Sequence, residues 1–431
     1  MFNTILKDNF ALHGSEESDF RAANAFMEGT TKELTVAGYE IKFLSYCPLP
    51  SQQREDETPF YVLSSDKVSA FLEGEKLTIG RIQNKFFGSD EYLEEIKKTS
   101  GLCCLIGNKL FEISELALKT FTLRAEVKGD MTIGRSNLIR DLHIADAIFT
   151  KNEKIHLVYR EEEVNGVTVR KIFAGLGGAY KLIPQTILTK AIDKITDEGT
   201  VGKANVTCWD IDHLYSTALV SLPEIGEEIA DEYKIPAEIV PGLYISTSDV
   251  GLSSIIIRGI YRRGNSYCVT DEVMMKHAGM ITPEDILEKA DETIFKNIRK
   301  LPEVLAELMG REVIDYSKTD LTSTAGAEKN YKAVADVLKK EVQKVCAEAK
   351  VSGKKRDQLL EAMCSEINTD IHYTLYDIAV DFIGIPDRIA GLDKDTITRL
   401  RKACGQTPFR LSKVKNISAV TEEEEVVLLT A

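Results

Sequence analysis

The sequence predicts an α+β protein, with a central, mostly antiparallel sheet and a largely helical C-terminal part. Three stretches carry that prediction. Between residues 155 and 173 two runs of strand character flank Val164-Asn165-Gly166-Val167, and Asn-Gly fits the type I′ turn that closes a tight hairpin. Residues 241–267 read PGLYISTSDVGLSSIIIRGIYRRGNSY: an alternating run, a turn signal, then an isoleucine-rich run ending in basic side chains. Beyond Asn330, Val334, Val337, Leu338, Val342 and Val345 recur at helical spacing.

The 431 residues suffice for two or three domains, and a 43% hydrophobic content can fill their cores. No low-complexity linker marks a boundary. The expected division is a mixed N-terminal region 1–110, an α+β core 111–310, a helical region 311–415 and an acidic tail 416–431. Lys plus Arg number 54 and Asp plus Glu 68, a formal charge of -14. That balance argues against indiscriminate coating of DNA but leaves room for a local basic groove. No apolar run reaches 18 residues, and the first twenty lack a basic region followed by an apolar core. Neither a membrane span nor a secretory signal is expected. Eight cysteines without paired Cys-x-x-Cys spacing fit free thiols in a reducing, cytoplasmic setting.

In chain order, 20–27 reads as a short helix, 37–46 as a strand, 67–72 as a helix and 90–98 as helical. Residues 102–106 form an apolar knot whose neighbours Cys103 and Cys104 make no metal pair by adjacency, since consecutive strand residues face opposite ways. A helix over 111–119, a strand over 121–127 and a helix over 137–149 follow. Gly175-Leu176-Gly177-Gly178 lacks the spacing of a nucleotide loop and reads as a glycine turn before Tyr180. Then come a helix at 186–195, a strand at 204–209 and an acidic helix at 224–233. After the 241–267 stretch, helices are expected at 271–278, 283–301, 330–349, 357–367 and 374–383.

Candidate functional residues cluster in three places. In the central stretch, Pro241-Gly242 signals a turn. Ser248, Asp249 and Gly251 mark a second, with Asp249 capping backbone N–H groups and Gly251 at positive φ. Arg258, Arg262 and Arg263 are candidate phosphate ligands, and Tyr261 or Tyr267, if exposed, can stack on bases. The alternative is arginines paired with the chain's many carboxylates. The segment 399–415 holds Arg399, Arg401, Lys402, Arg410, Lys413 and Lys415 with no acid among them, before four consecutive glutamates from Glu422. This suits a basic surface beside an acidic tail that competes with nucleic acid or meets a protein partner. A tail folded back as an edge strand is the alternative. Asp210, Asp212 and His213 form a carboxylate–imidazole cluster that, with Asp249 or Asp271, suits a divalent ion; polar residues at a strand end are the plainer reading. The six histidines show no metal-site spacing, and neither a metal nor a cofactor is expected.

The run Pro241-Gly242-Leu243-Tyr244-Ile245-Ser246-Thr247-Ser248-Asp249-Val250-Gly251, with Arg262, resembles the phage/plasmid-like family of unknown function 932. Its members carry a similar Pro-Gly, a Ser-(Glu/Asp)-x-Gly turn and an arginine ending the next strand. Residues 169–184 resemble the family's strand and tyrosine, and 188–195 its following helix. The likeness spans roughly residues 110–300. It departs at Thr270-Asp271, where the family's Cys-x-Asn-Gly segment would place Asn-Gly. What the resemblance implies is a mobile-element context, with no settled activity. The expected function is a non-enzymatic single-strand nucleic-acid binder or annealing accessory, with single-stranded DNA as partner and self-association open. The alternatives are a structural or assembly protein of a phage-like particle and a metal-dependent nuclease.

Overall fold

The computed structural model describes residues 4–46, 57–63, 80–83, 101–127, 137–164, 166–197, 202–236, 239–264, 266–276, 281–313, 324–367, 373–387 and 389–414, with 90, 94, 96 and 98. The expected helix at 67–72, Lys415 and the tail 416–431 lie outside them.

The strands in chain order are β1 (Ala11–Gly14), β2 (Thr31–Ala37), β3 (Ile41–Tyr46), β4 (Glu57–Val62), β5 (Gly80–Gln83), β6 (Leu102–Ile106), β7 (Lys109–Ile113), β8 (Lys154–Val164), β9 (Val167–Gly177), β10 (Asn205–Asp212), β11 (Ser216–Ser221), β12 (Ile239–Thr247), β13 (Ile255–Arg263) and β14 (Ser266–Met275). They build two sheets. One is six-stranded and antiparallel throughout, in the order β1-β10-β11-β12-β13-β14. The other is eight-stranded, in the order β2-β8-β9-β7-β6-β3-β4-β5, and only its β7–β9 pair is parallel. The fold is α+β, as the sequence predicts.

The helices are α1 (Glu17–Thr30), α2 (Glu115–Arg124), α3 (Asn137–Lys151), α4 (Ile187–Asp197), α5 (Pro223–Tyr233), α6 (Pro283–Ala290), α7 (Lys296–Met309), α8 (Thr324–Ala349), α9 (Gly353–Ser365), α10 (Leu375–Gly384), α11 (Lys394–Gly405) and α12 (Thr407–Ser412). Phe121, Leu142 and Ile148 from α2 and α3 join Phe43, Phe111 and Leu157 of the larger sheet in one apolar cluster. A larger cluster draws on residues from Ile5 to Leu411 and takes in the apolar faces of α1, α4, α8 and α10. Cys103 belongs to that cluster and Cys104 to the other, so the adjacent thiols face opposite cores, as neighbours on a strand must. Burial holds both thiols well above the usual cysteine range. All the described cysteines are free.

Several local expectations change. Residues 111–113, expected to open a helix over 111–119, belong to β7, and the helix begins only at Glu115. Residues 121–127 do not form a strand. They lie largely within α2, whose N-terminus Ser114 caps by accepting a 3.0 Å bond from the Ala117 amide, and whose buried Ala117, Thr120 and Phe121 follow helical spacing. Residues 271–275 belong to β14 rather than a helix, because Asp271, Val273 and Met275 pair with Gly259, Ile257 and Ile255 of β13. Sheet pairing there outweighs local helical character. Pro241-Gly242 is no turn but sits inside β12, between β11 and β13. Gly242 is needed for close approach, since a Cβ there would stand 2.4 Å from the Val220 carbonyl oxygen.

Candidate ligand-binding cleft

Four registered residues cross adjacent strands of the larger sheet. Thr31 of β2 pairs with Arg160 of β8, Arg160 with Lys171 of β9, and Lys171 with Glu112 of β7. Arg160, Lys171 and Glu112 are all buried. A buried charge persists only when paired, and each of these is. Lys171 Nζ lies 2.9 Å from Glu112 Oε1 and 3.0 Å from Asp8 Oδ1. Burial works against the ammonium, but the two carboxylates outweigh it and raise its pKa.

Arg160 is paired by the other sheet. Its guanidinium donates to Asp249 Oδ2 at 2.9 Å and to His213 Nδ1 at 2.6 Å. An arginine can only donate, so Nδ1 of His213 is the acceptor and the ring proton sits on Nε2. That nitrogen donates to the Lys7 carbonyl at 2.7 Å. The His213 ring also stacks on Phe173 with centroids 4.0 Å apart, and the Arg160 Cζ lies 4.8 Å from the centre of the same ring. Phe173 stands where the β8–β9 register slips between Val158 and Tyr159. Burial, then the neighbouring Arg160 charge, pushes His213 down to about 3, which keeps it neutral. Burial likewise pulls Arg160 below its usual value, against the opposing pull of Asp249.

Asp249 therefore does not cap its own turn, contrary to the expectation from the sequence. The Ser248 hydroxyl takes that part, accepting from the Leu252 amide at 3.3 Å. Gly251 does have positive φ, +74°. Asp249 Oδ2 also accepts from Gln185 Nε2 at 3.1 Å. Thr31 Oγ1 lies 3.3 Å away, but its single proton goes to the Met27 carbonyl at 2.7 Å. Two buried acceptors are left with no partner: Asp249 Oδ1 and Gln185 Oε1. A reversed amide would turn Gln185 Oε1 toward the carboxylate, so the Nε2 contact fixes its orientation.

These two residues line a cleft of about 380 Å³. Helix α1 brings Glu28 and, just past its end, Thr31 to one side. It is held by Trp209 Nε1 donating to the Glu16 carbonyl and by the Ser216 hydroxyl donating to Asn24. The opposite side is Leu182, Ile183 and Pro184, which lead into α4. Glu28 Oε2 ties the two sides by accepting from the Thr186 amide at 3.2 Å. Exposed Lys32 and Glu33 complete the rim.

The residues expected to meet nucleic acid lie elsewhere and have partners within the chain. Arg258 pairs with Glu272 and lies over the Tyr244 ring. Arg262 donates to the Thr207 hydroxyl, and Arg263 lies 3.4 Å from Asp381. Tyr261 is buried and donates to the Ile298 carbonyl, so it offers no stacking face. Tyr267 is buried too, beneath Arg401 at 3.8 Å. Arg399 reaches the Ala349 carbonyl, Lys402 pairs with Glu272, and Arg410 with Glu341 and Glu348. These last four belong to α11 and α12, so 399–414 is a pair of packed helices rather than a bare basic strip.

Asp210 and Asp212 do not join His213. Asp212 Oδ1 accepts from the Leu214 and Tyr215 amides in its own turn, and His213 points inward to Arg160. Among the described residues no three His, Cys, Asp or Glu side chains stand close enough to hold a metal ion, and no helix is long and apolar enough to cross a membrane. Comparison with protein-family models, with curated proteins and with solved structures gives no match.

Proposed function

We propose that the chain is a binding protein whose ligand occupies the Gln185–Asp249 cleft and donates hydrogen bonds to its floor. The observation that carries this reading is the pair of buried, unpartnered oxygens, Asp249 Oδ1 and Gln185 Oε1. Leaving such an acceptor unsatisfied costs about 1–3 kcal/mol, a cost a ligand's donors would remove. The cleft falls within the size range of small-molecule sites, roughly 300–1,000 Å³, and joins an apolar wall to a few fixed polar groups. A lone bound water needs only about 30 Å³.

A nucleic-acid-binding role draws less support, because the arginines and tyrosines expected to serve it are engaged inside the chain. The test is a thermal-shift screen of small fragments in two sets, hydrogen-bond donors (amines, guanidines, ureas) and acceptor-only ketones and ethers. Donors should raise the melting temperature and acceptor-only fragments should not. The gain should fall in Gln185→Met, which keeps the volume and removes the acceptor. Equal response to both sets, or an unchanged response in the variant, would refute the reading.

A further inference from the structure

Resting on that reading, we infer that the ligand is an organic cation: an ammonium or guanidinium head group on a short alkyl stem. With Asp249 matched by Arg160, the cleft sets two further carboxylates, Glu28 and Glu33, against one ammonium at its rim, Lys32. The Arg160 charge behind the floor is already spent on Asp249 Oδ2, as a 2.9 Å ion pair between two buried groups. The two unpartnered atoms of the lining are both buried acceptors, one of them on a carboxylate. A head group that fits must therefore bring at least two N–H donors and gains from a positive charge.

The walls add the stem. Leu182 and Pro184 give an apolar flank beside the polar floor, the division of labour by which lysine and arginine stems lie along apolar surface while their heads meet polar partners. A metal ion suits the site less well, since three acidic or imidazole ligands do not converge there or elsewhere among the described residues. Both floor oxygens are closed to bulk water in this state. In the proposed complex the Gln185 side chain, held to Asp249 by one hydrogen bond, would turn toward the cleft to present its oxygen to the head group.

Three probes of matched length separate the possibilities: butylammonium, butylguanidinium and the neutral butylurea, titrated calorimetrically into the full chain at low salt. At least one cation should bind about tenfold more tightly than butylurea, the margin between a charge-assisted and a neutral hydrogen bond. The preference should shrink in Glu28→Gln/Glu33→Gln, whose melting curve reports that the fold is kept, and should shrink in wild type as salt rises. Whichever cation binds more tightly identifies the head group. Binding of butylurea as tight as either cation would overturn the cationic assignment and leave the cleft reading standing. Binding by none of the three would overturn both.

Discussion

Two regions of this molecule pair arginines with acids, and they do so to different ends. On β13, α11 and α12, Arg258 and Lys402 meet Glu272 and Arg410 meets Glu348 in partly exposed contacts that join β13 and α11 to β14, and α12 to α8. Between the sheets, Arg160 and Asp249 meet with almost no exposure, and their remaining valences go to His213, to Gln185 and to nothing. In the first region water shares the charges and each pair contributes little. In the second, every missing partner has a cost, so the unfilled oxygens carry meaning. Dense charge in a sequence is thus a poor guide to a site. A single charge placed where solvent cannot reach it is a better one.

The comparison breaks most visibly at Arg160. Arg160→Met should cost about 3–5 kcal/mol in urea unfolding, because it strands a buried carboxylate. Adding Asp249→Leu should recover much of that loss. A single variant as stable as wild type would show that the pair is not what holds the sheets together.

Acid should attack the same region. His213 is neutral when folded, with its pKa lowered from 6.5 to about 3, so the unfolded chain binds one more proton between those values. Its contribution is complete above pH 6.5 and is lost as pH falls toward 3, at a slope of about 1.4 kcal/mol per pH unit. His213→Asn should flatten that part of the stability profile. An unchanged profile would place the acid sensitivity elsewhere.

Gly251→Val should cost about 1–3 kcal/mol, since a β-branched residue is strained at positive φ. Its Cβ would also press on Leu176, 2.8 Å away, beside Tyr180. An unaltered melting temperature would contradict the turn geometry. The smallest effect belongs to the surface. Arg262→Ala with Arg263→Ala should change stability by no more than about 1 kcal/mol, and should leave any binding of single-stranded DNA where it was. A clear fall in DNA affinity, with a flatter salt dependence, would restore the basic end of the hairpin as an interface.

Much of the architecture was legible along the chain. Asn-Gly between two strand-like runs specified the β8–β9 hairpin, and the Ser-Asp-x-Gly sequence specified the β12–β13 turn, because turn chemistry is local. Helix α8 announced itself by apolar spacing. Where pairing partners decided, local reading failed, as at β14 and at Gly242, whose neighbours across the sheet are far away in sequence.

The cleft was the least legible part. Asp249 and His213 stood out as residues, yet Asp249 was expected to cap a turn and His213 to sit beside Asp210 and Asp212. Arg160 fell within the strand-like runs at 155–173 and Gln185 just before the helix at 186–195. A charged residue closing the apolar run Ile155-His156-Leu157-Val158-Tyr159 was the one local sign of a buried pair. The sequence by itself determined the β8–β9 hairpin, the Ser-Asp-x-Gly turn and the amphipathic helix α8, since each follows from periodicity and from residues a few places apart. Only the tertiary structure decided that Thr31, Arg160, Gln185, His213 and Asp249 meet. Side chains up to 218 positions apart are brought together by how two sheets pack, and no local pattern encodes that choice.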